Sequence, residues 1–280
     1  MSGLVVLLVL MAAASHAAWN AALKSGPDPL WSVTVMQAAE LSIGLLLLAF
    51  VPMPAAEAWP WLLAGAVTHT LYRIQLARTY GMGGLAELYP ILRGVAPLLV
   101  TLGAAAVASE WPPPLALAGI VVVSLGLMAQ SRAGAVGIPP RAILAAVLTG
   151  VLISAYTVID GQGARLSGHA IGFAVWLLFV SGATQVIAYV GLRGFAFRGP
   201  RREVLKSVGL GVLSMATYAT VIWALSQGPM GAISALRETS VVFAAVIGRV
   251  FLGESVTPRR FAACIVVALG AVLIGFGARG

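Results

Sequence analysis

Charge is scarce in this 280-residue chain: Asp, Glu, Lys and Arg make up 9% of it, whereas hydrophobic residues make up 60%. An ordinary soluble domain carries roughly 25% charged residues. No soluble fold hides that much apolar surface, so a lipid bilayer is the solvent this composition requires. Cysteine is nearly absent as well. Cys264 alone, set within an apolar run, excludes a disulfide framework or a cysteine-based zinc site built within the chain. No second histidine lies at metal-ligand spacing from His69, so no metal is expected. Gly-x-Ser-x-Gly, His-Glu-x-x-His, P-loop and Asp-rich metal motifs are missing. Without an ATP-binding motif, active movement of a solute has to draw on a proton or solute gradient or on exchange, and no cofactor is expected. Acidic residues are outnumbered, 9 against 17 Lys and Arg, for a formal charge of +8. The basic residues stand singly or in one short cluster between apolar runs, a juxtamembrane pattern that argues against a nucleic-acid partner.

What the chain has in abundance is apolar runs of about 20 residues, the length that crosses a bilayer as a helix. Ten are expected, near residues 3 to 22, 30 to 51, 59 to 79, 84 to 107, 113 to 130, 141 to 160, 169 to 192, 204 to 225, 231 to 251 and 259 to 277. Short separators rich in Gly, Pro or charge divide them, and the longest basic one runs from Arg193 to Lys206. Leu4 to Ala18, in which Ser15-His16-Ala17 and the neighbouring alanines resemble a small-residue cleavage site, has features of a cleaved signal peptide, but Met-Ser-Gly at the amino end lacks the basic residue such a peptide carries, which weakens that reading. Little chain is left outside the spans for a soluble catalytic domain. The expectation is an all-α integral membrane protein, multi-pass in the inner or plasma membrane, either a monomer or a homodimer.

The chain repeats itself. At an offset of 144, Gly84, Leu92, Arg93, Glu110, Pro114, Ala118, Val122, Val123, Leu125 and Gly126 match Gly228, Leu236, Arg237, Glu254, Pro258, Ala262, Val266, Val267, Leu269 and Gly270. The Arg, Glu and Pro matches are the informative ones in so aliphatic a composition. At an offset of 140, His16 and Asn20 fall on Tyr156 and Asp160, in each case a polar pair four residues apart on one helix face. Residues 1–132 and 141–280 therefore read as two five-helix repeats joined by residues 133–140. Five crossings per repeat make the second inverted relative to the first, a plan in which two halves rock about one midplane site.

Leu88-Tyr89-Pro90-Ile91-Leu92-Arg93-Gly94-Val95-Ala96-Pro97 with Glu110 and Gly119, and Ala235-Leu236-Arg237-Glu238-Thr239-Ser240 with Gly253-Glu254 and Pro258, resemble the two repeats of the drug/metabolite transporter superfamily, EamA type. The resemblance spans essentially the whole chain. It implies a ten-helix carrier of small organic solutes and a cavity built from the first, third, fourth, sixth, eighth and ninth spans. It also implies cytoplasmic termini, whereas the Lys and Arg bias puts them on the other side: Lys24, Arg78, Arg141, Arg193 and Arg259 share one face with most other basic residues, and mainly Arg165 and Arg279 lie on the opposite one.

Ionisable residues inside spans cost about 2.5 to 3.5 kcal/mol each near the helix centre on insertion scales, so each asks for a reason. Arg93 and Arg237, at equivalent places in the fourth and ninth spans, can grip a carboxylate or phosphate bidentately; they can equally pair with Glu40, Glu87 or Glu238 to lock the bundle. An acidic solute is the expectation. His69, Tyr72 and Arg73 form a polar stripe on the third span and should face a cavity or another helix. With them, His16, Asn20, Tyr89, Tyr156, Tyr218 and Trp223 are the candidate solute-binding residues. Glu238 and Asp160 are the candidate proton carriers, although Asp160, near the expected end of its span, is better explained there as a solvated residue. Trp19, Trp31, Trp59, Trp61, Trp111 and Trp176 are expected at the membrane interface. An intramembrane enzyme acting on a lipid-linked or phosphorylated substrate is the alternative function; a purely structural scaffold explains the duplicated arginines poorly.

Overall fold

A computed structural model describes residues 1–24, 28–82, 85–130, 138–195, 199–251 and 257–278. Gly84, Arg132, Arg198, Gly253, Glu254 and Arg279, the start of the 133–140 linker and the Glu87 side chain lie outside the described residues. Every regular element among the described residues is helical: α1 (Gly3–Lys24), α2 (Pro29–Leu47), α3 (Trp59–Tyr80), α4 (Leu85–Ala108), α5 (Pro114–Met128), α6 (Pro140–Leu166), α7 (Ala170–Arg193), α8 (Arg201–Gln227), α9 (Met230–Arg237), α10 (Ser240–Phe251) and α11 (Pro258–Gly277), with a single 3-10 turn, Ala56–Ala58, ahead of α3. The ninth expected span is broken in two, as α9 and α10, so the helices fall into the ten segments expected from the sequence.

Local chemistry sets the boundaries. Asp28 caps α2 by accepting from the Trp31 amide at 3.1 Å, with Pro29 in the first turn, and Arg193 donates to its other oxygen. His169 Nδ1 accepts from the Gly172 amide at 2.9 Å to open α7, and Gly194, at φ +69°, ends that helix in a backbone region L side chains rarely adopt. Pro90 and Pro97 lie inside α4 without interrupting it, and Pro229 caps α9. The one break falls where no proline stands. Thr239 N donates to Leu236 O and Val242 N to Thr239 O, at 3.1 and 2.8 Å, tightening the chain into i→i+3 turns between α9 and α10.

Eight helical segments are long and apolar enough to cross a membrane. The other two fall short for different reasons. Helix α5 has only 15 residues, while α3 has 22 but carries His69, Arg73, Gln75 and Arg78. A helix this polar survives in the bundle because its neighbours supply partners: α3 packs on α6 and α7. The packing has a two-fold logic. Helices α1 and α8 pair as α6 and α3 do, α2 and α8 as α7 and α3 do, α1 meets α9 and α10 as α6 meets α4, and α2 pairs with α7 and α5 with α11 across the two halves. The last contact is close because it is built on glycine. A Cβ added to Gly119 would lie 2.7 Å from Gly270 O, and one added to Gly270 would lie 2.9 Å from Gly119 O.

Several expectations change. Helix α6 continues to Leu166, so Asp160 stands well inside it and is completely buried; the solvated reading of this residue is wrong because it rested on a span ending at residue 160. Trp31, near the start of α2, is buried in a small cluster with Val35 and Tyr189.

Candidate functional site

Between the two halves lies a cavity of about 150 Å³. Its walls come from the C-terminal half of α1, the N-terminal half and middle of α2, the middle of α3, the start of α4, the middles of α6 and α8, the end of α9, and Leu178 of α7. It therefore occupies the half of the bundle toward the face where α1 and α3 end and α2 and α4 begin. His16, Asn20, His69, Tyr72, Arg73, Tyr89, Arg93, Tyr156, Tyr218 and Arg237 all line it. Trp223 does not; it packs against the central apolar cluster around Val221 and Leu225, the face of α8 that the eighth span turns to the core.

The two equivalent arginines differ. Arg93, 4% exposed, donates from Nη1 to Glu238 Oε1 at 3.1 Å and from Nη2 to His16 Nε2 at 2.5 Å, and its guanidinium lies 5.2 Å from the centre of the Tyr89 ring. His16 is thereby an acceptor, a neutral imidazole turned toward a cation. The sequence left Glu40, Glu87 and Glu238 open as counter-charges, and Glu238 is the one beside Arg93. Arg237 is half-buried, lies 5.7 Å from the centre of the Tyr218 ring, and makes no ion pair with a carboxylate among the described residues.

A second cluster flanks the arginines. Asp160 Oδ2 accepts from the Tyr218 hydroxyl at 2.5 Å and from His69 Nε2 at 2.8 Å. The His69 ring stacks on Tyr156 with centroids 4.2 Å apart and meets Tyr218 edge-on at 5.2 Å; Tyr72 meets Tyr156 at 5.3 Å. A Cβ at Gly65 would lie 2.5 Å from Asp160 Oδ1, so glycine is what lets α3 close on α6 at this level. The polar stripe on α3 thus divides its partners. His69 reaches α6, whereas Arg73 turns to α7 and donates to Ser181 Oγ at 3.0 Å.

Four polar lining residues escaped the sequence reading of the site: Gln37, Ser214 and Thr217, and Glu40, which was weighed only as a counter-charge. Glu40 is completely buried, and neither carboxylate oxygen has a hydrogen-bond partner among the described residues. Gln37 and Glu40, three residues apart and hence on one helix face, were the available signal. Trp19, expected at the interface, lines the cavity and meets the His16 ring edge-on at 4.8 Å.

The model of the EamA-like transporter family matches residues 140–276, the whole second half of the bundle. The chain belongs to the EamA-like transporter family. As a member of it, this EamA-like protein is a multi-pass membrane protein that transports small molecules, and the family is one of transporters, not enzymes. A solved crystal structure of another protein shares its fold, with a TM-score of 0.72 at 20% sequence identity, covering 99% of this chain and 96% of that one. No curated protein matches it. Within the EamA-like fold, the polar residues described above gather where two equivalent halves meet.

Proposed function

We propose that this EamA-like protein is a secondary transporter of a small organic metabolite bearing an acidic group, carried by alternating access through the cavity between residues 1–132 and 141–280. One observation carries the reading: Arg237 presents a guanidinium to the cavity and makes no ion pair among the described residues, whereas Arg93, its equivalent, is paired with Glu238. Inside a bilayer a half-buried cation without an ion pair is costly, and a solute carboxylate or phosphate supplies one, with the planar fork of Arg237 suited to bind it bidentately. His16, Asn20, His69, Tyr72, Arg73, Tyr89, Tyr156 and Tyr218 shape and line the pocket around that anchor. Glu40, Gln37 and Ser214 offer acceptors to donor groups on the same solute. Glu238 and Asp160 are the groups we assign to proton exchange, since each has one oxygen engaged and one without a partner among the described residues. The cell membrane is the assigned location.

The test is uptake of a pooled metabolite mixture into proteoliposomes, read by mass spectrometry with and without an imposed pH gradient. Accumulation is expected to be selective for acidic solutes and to respond to the gradient. The same solutes are expected to raise the thermal stability of the wild-type protein, since a ligand that binds only the folded state stabilises it by mass action. Stabilisation by cations and never by anions, unchanged in Arg237→Ala, would overturn the anionic assignment.

A further inference from the structure

The end of the bundle away from the cavity carries a compact polar cluster. Glu110, in the link between α4 and α5, places Oε2 2.5 Å from Arg165 Nη2, near the end of α6, and accepts from the Met230 amide, the first residue of α9, through Oε1 at 2.5 Å. Arg165 reaches further, from Nε to Leu225 O at 3.1 Å and from Nη2 to Gly228 O at 2.7 Å, in the last turn of α8 and the link beyond it. Two side chains thus tie the ends of α4, α6 and α8 to the beginning of α9, across both halves of the chain. Both are only partly exposed, 16% for Glu110 and 26% for Arg165. The carbonyls of Leu225 and Gly228 and the Met230 amide are helix-end groups without intrahelical partners, so the cluster satisfies backbone as well as joining charges. Nothing in solute binding uses it, because none of these residues lines the cavity.

We infer that Glu110 and Arg165 are the latch that holds this face closed while the cavity is accessible from the other, and that the face opens when their shared contacts to α8 and α9 separate. The inference rests on the alternating-access reading. It assigns positioning roles: neither residue touches the solute, and both act through the relative placement of α4, α6, α8 and α9. Helix α9 ends in Arg237, so separation at its first residue also moves the anchor for the solute. Loss of the latch transfers population from the state closed at this face to the state open there, and access at the two faces changes in opposite directions.

The chain offers a simple background for the test, because Cys264→Ser removes its one cysteine. Ser234→Cys places a reporter one helical turn beyond Met230 at a site 2% exposed, and Val33→Cys places another in the cavity wall. Each full-length protein is reconstituted and labelled with a membrane-impermeant maleimide, with no solute present. Arg165→Gln is expected to speed labelling at position 234 by about tenfold, the scale of one lost charge-assisted interaction, and to slow it at position 33. Glu110→Gln, which keeps a carbonyl for Met230 and Arg165, is expected to move both rates in the same directions by less. Unchanged rates at both reporters, or faster labelling at both, as general loosening would give, overturn the latch. Because no solute enters the measurement, a protein that carries nothing in the uptake assay still reports on the latch, and failure of the latch leaves the uptake result standing.

Discussion

Arg93 and Arg237 follow the same Leu, occupy the same place in two equivalent halves, and have opposite fates. Arg93 lies in α4, which runs unbroken through Pro90 and Pro97, and is enclosed by Glu238 and His16. Arg237 is the last residue of α9, before the chain tightens through Glu238 and Thr239 and restarts as α10. The break turns Glu238 toward the other half, where it neutralises Arg93, and leaves Arg237 half-buried beside Tyr218. Duplication supplied two cations. A single acidic residue after the second of them, absent at the matching Gly94, pairs with one arginine and leaves the other without an ion pair among the described residues.

The largest effect expected from disturbing this asymmetry is on stability. Arg93→Ala leaves Glu238 buried without its cation and should cost about 3 to 5 kcal/mol, the range for breaking one side of a buried ion pair, read as a lower unfolding temperature in detergent. Replacing both residues by Met and Leu should restore most of that loss, which separates the pair's desolvation from its attraction. Arg237→Ala should do the reverse. It gives up a cation–π contact of about 0.5 to 1 kcal/mol, so the fold should hold, while affinity for the acidic solute proposed above falls about 10- to 100-fold, the scale of a hydrogen bond to a charged group. A stability loss in Arg237→Ala as large as in Arg93→Ala would erase the distinction between the two sites. The smallest effect is expected from Tyr218→Phe, which keeps the ring under Arg237 but removes the hydroxyl that donates to Asp160. It should cost about 1 kcal/mol in stability, with solute affinity close to wild type.

Much of the site was legible before any fold was known, because charge within a long apolar run is conspicuous. His69, Tyr72 and Arg73 announced a polar face, and Tyr156 with Asp160 announced another. What misled was helix length. Ending α6 at residue 160 made Asp160 appear solvated, whereas six more residues of helix carry it into the core beside His69 and Tyr218. Trp223 was assigned to the cavity as an aromatic residue near Tyr218, but it turns toward the core cluster instead. Glu40 was visible as a charge in a span, yet its burial in the cavity wall depends on which helices pack against α2, and no local pattern contains that.

The amino-acid sequence by itself determined the solvent, the helical segments and the two arginines, since each follows from properties read along the chain: apolar run length, the Gly, Pro and charge between runs, and residues recurring at one offset. The tertiary structure alone decided the partners. Glu238 meets Arg93 from 145 residues away and Asp160 meets His69 from 91. Helix α9 stops without a proline because Glu238 and Thr239 are held in tight turns where the two halves pack. Inside a bilayer a buried charge is tolerated only where another helix supplies its counterpart, and which helix arrives is settled by the packing of the whole bundle.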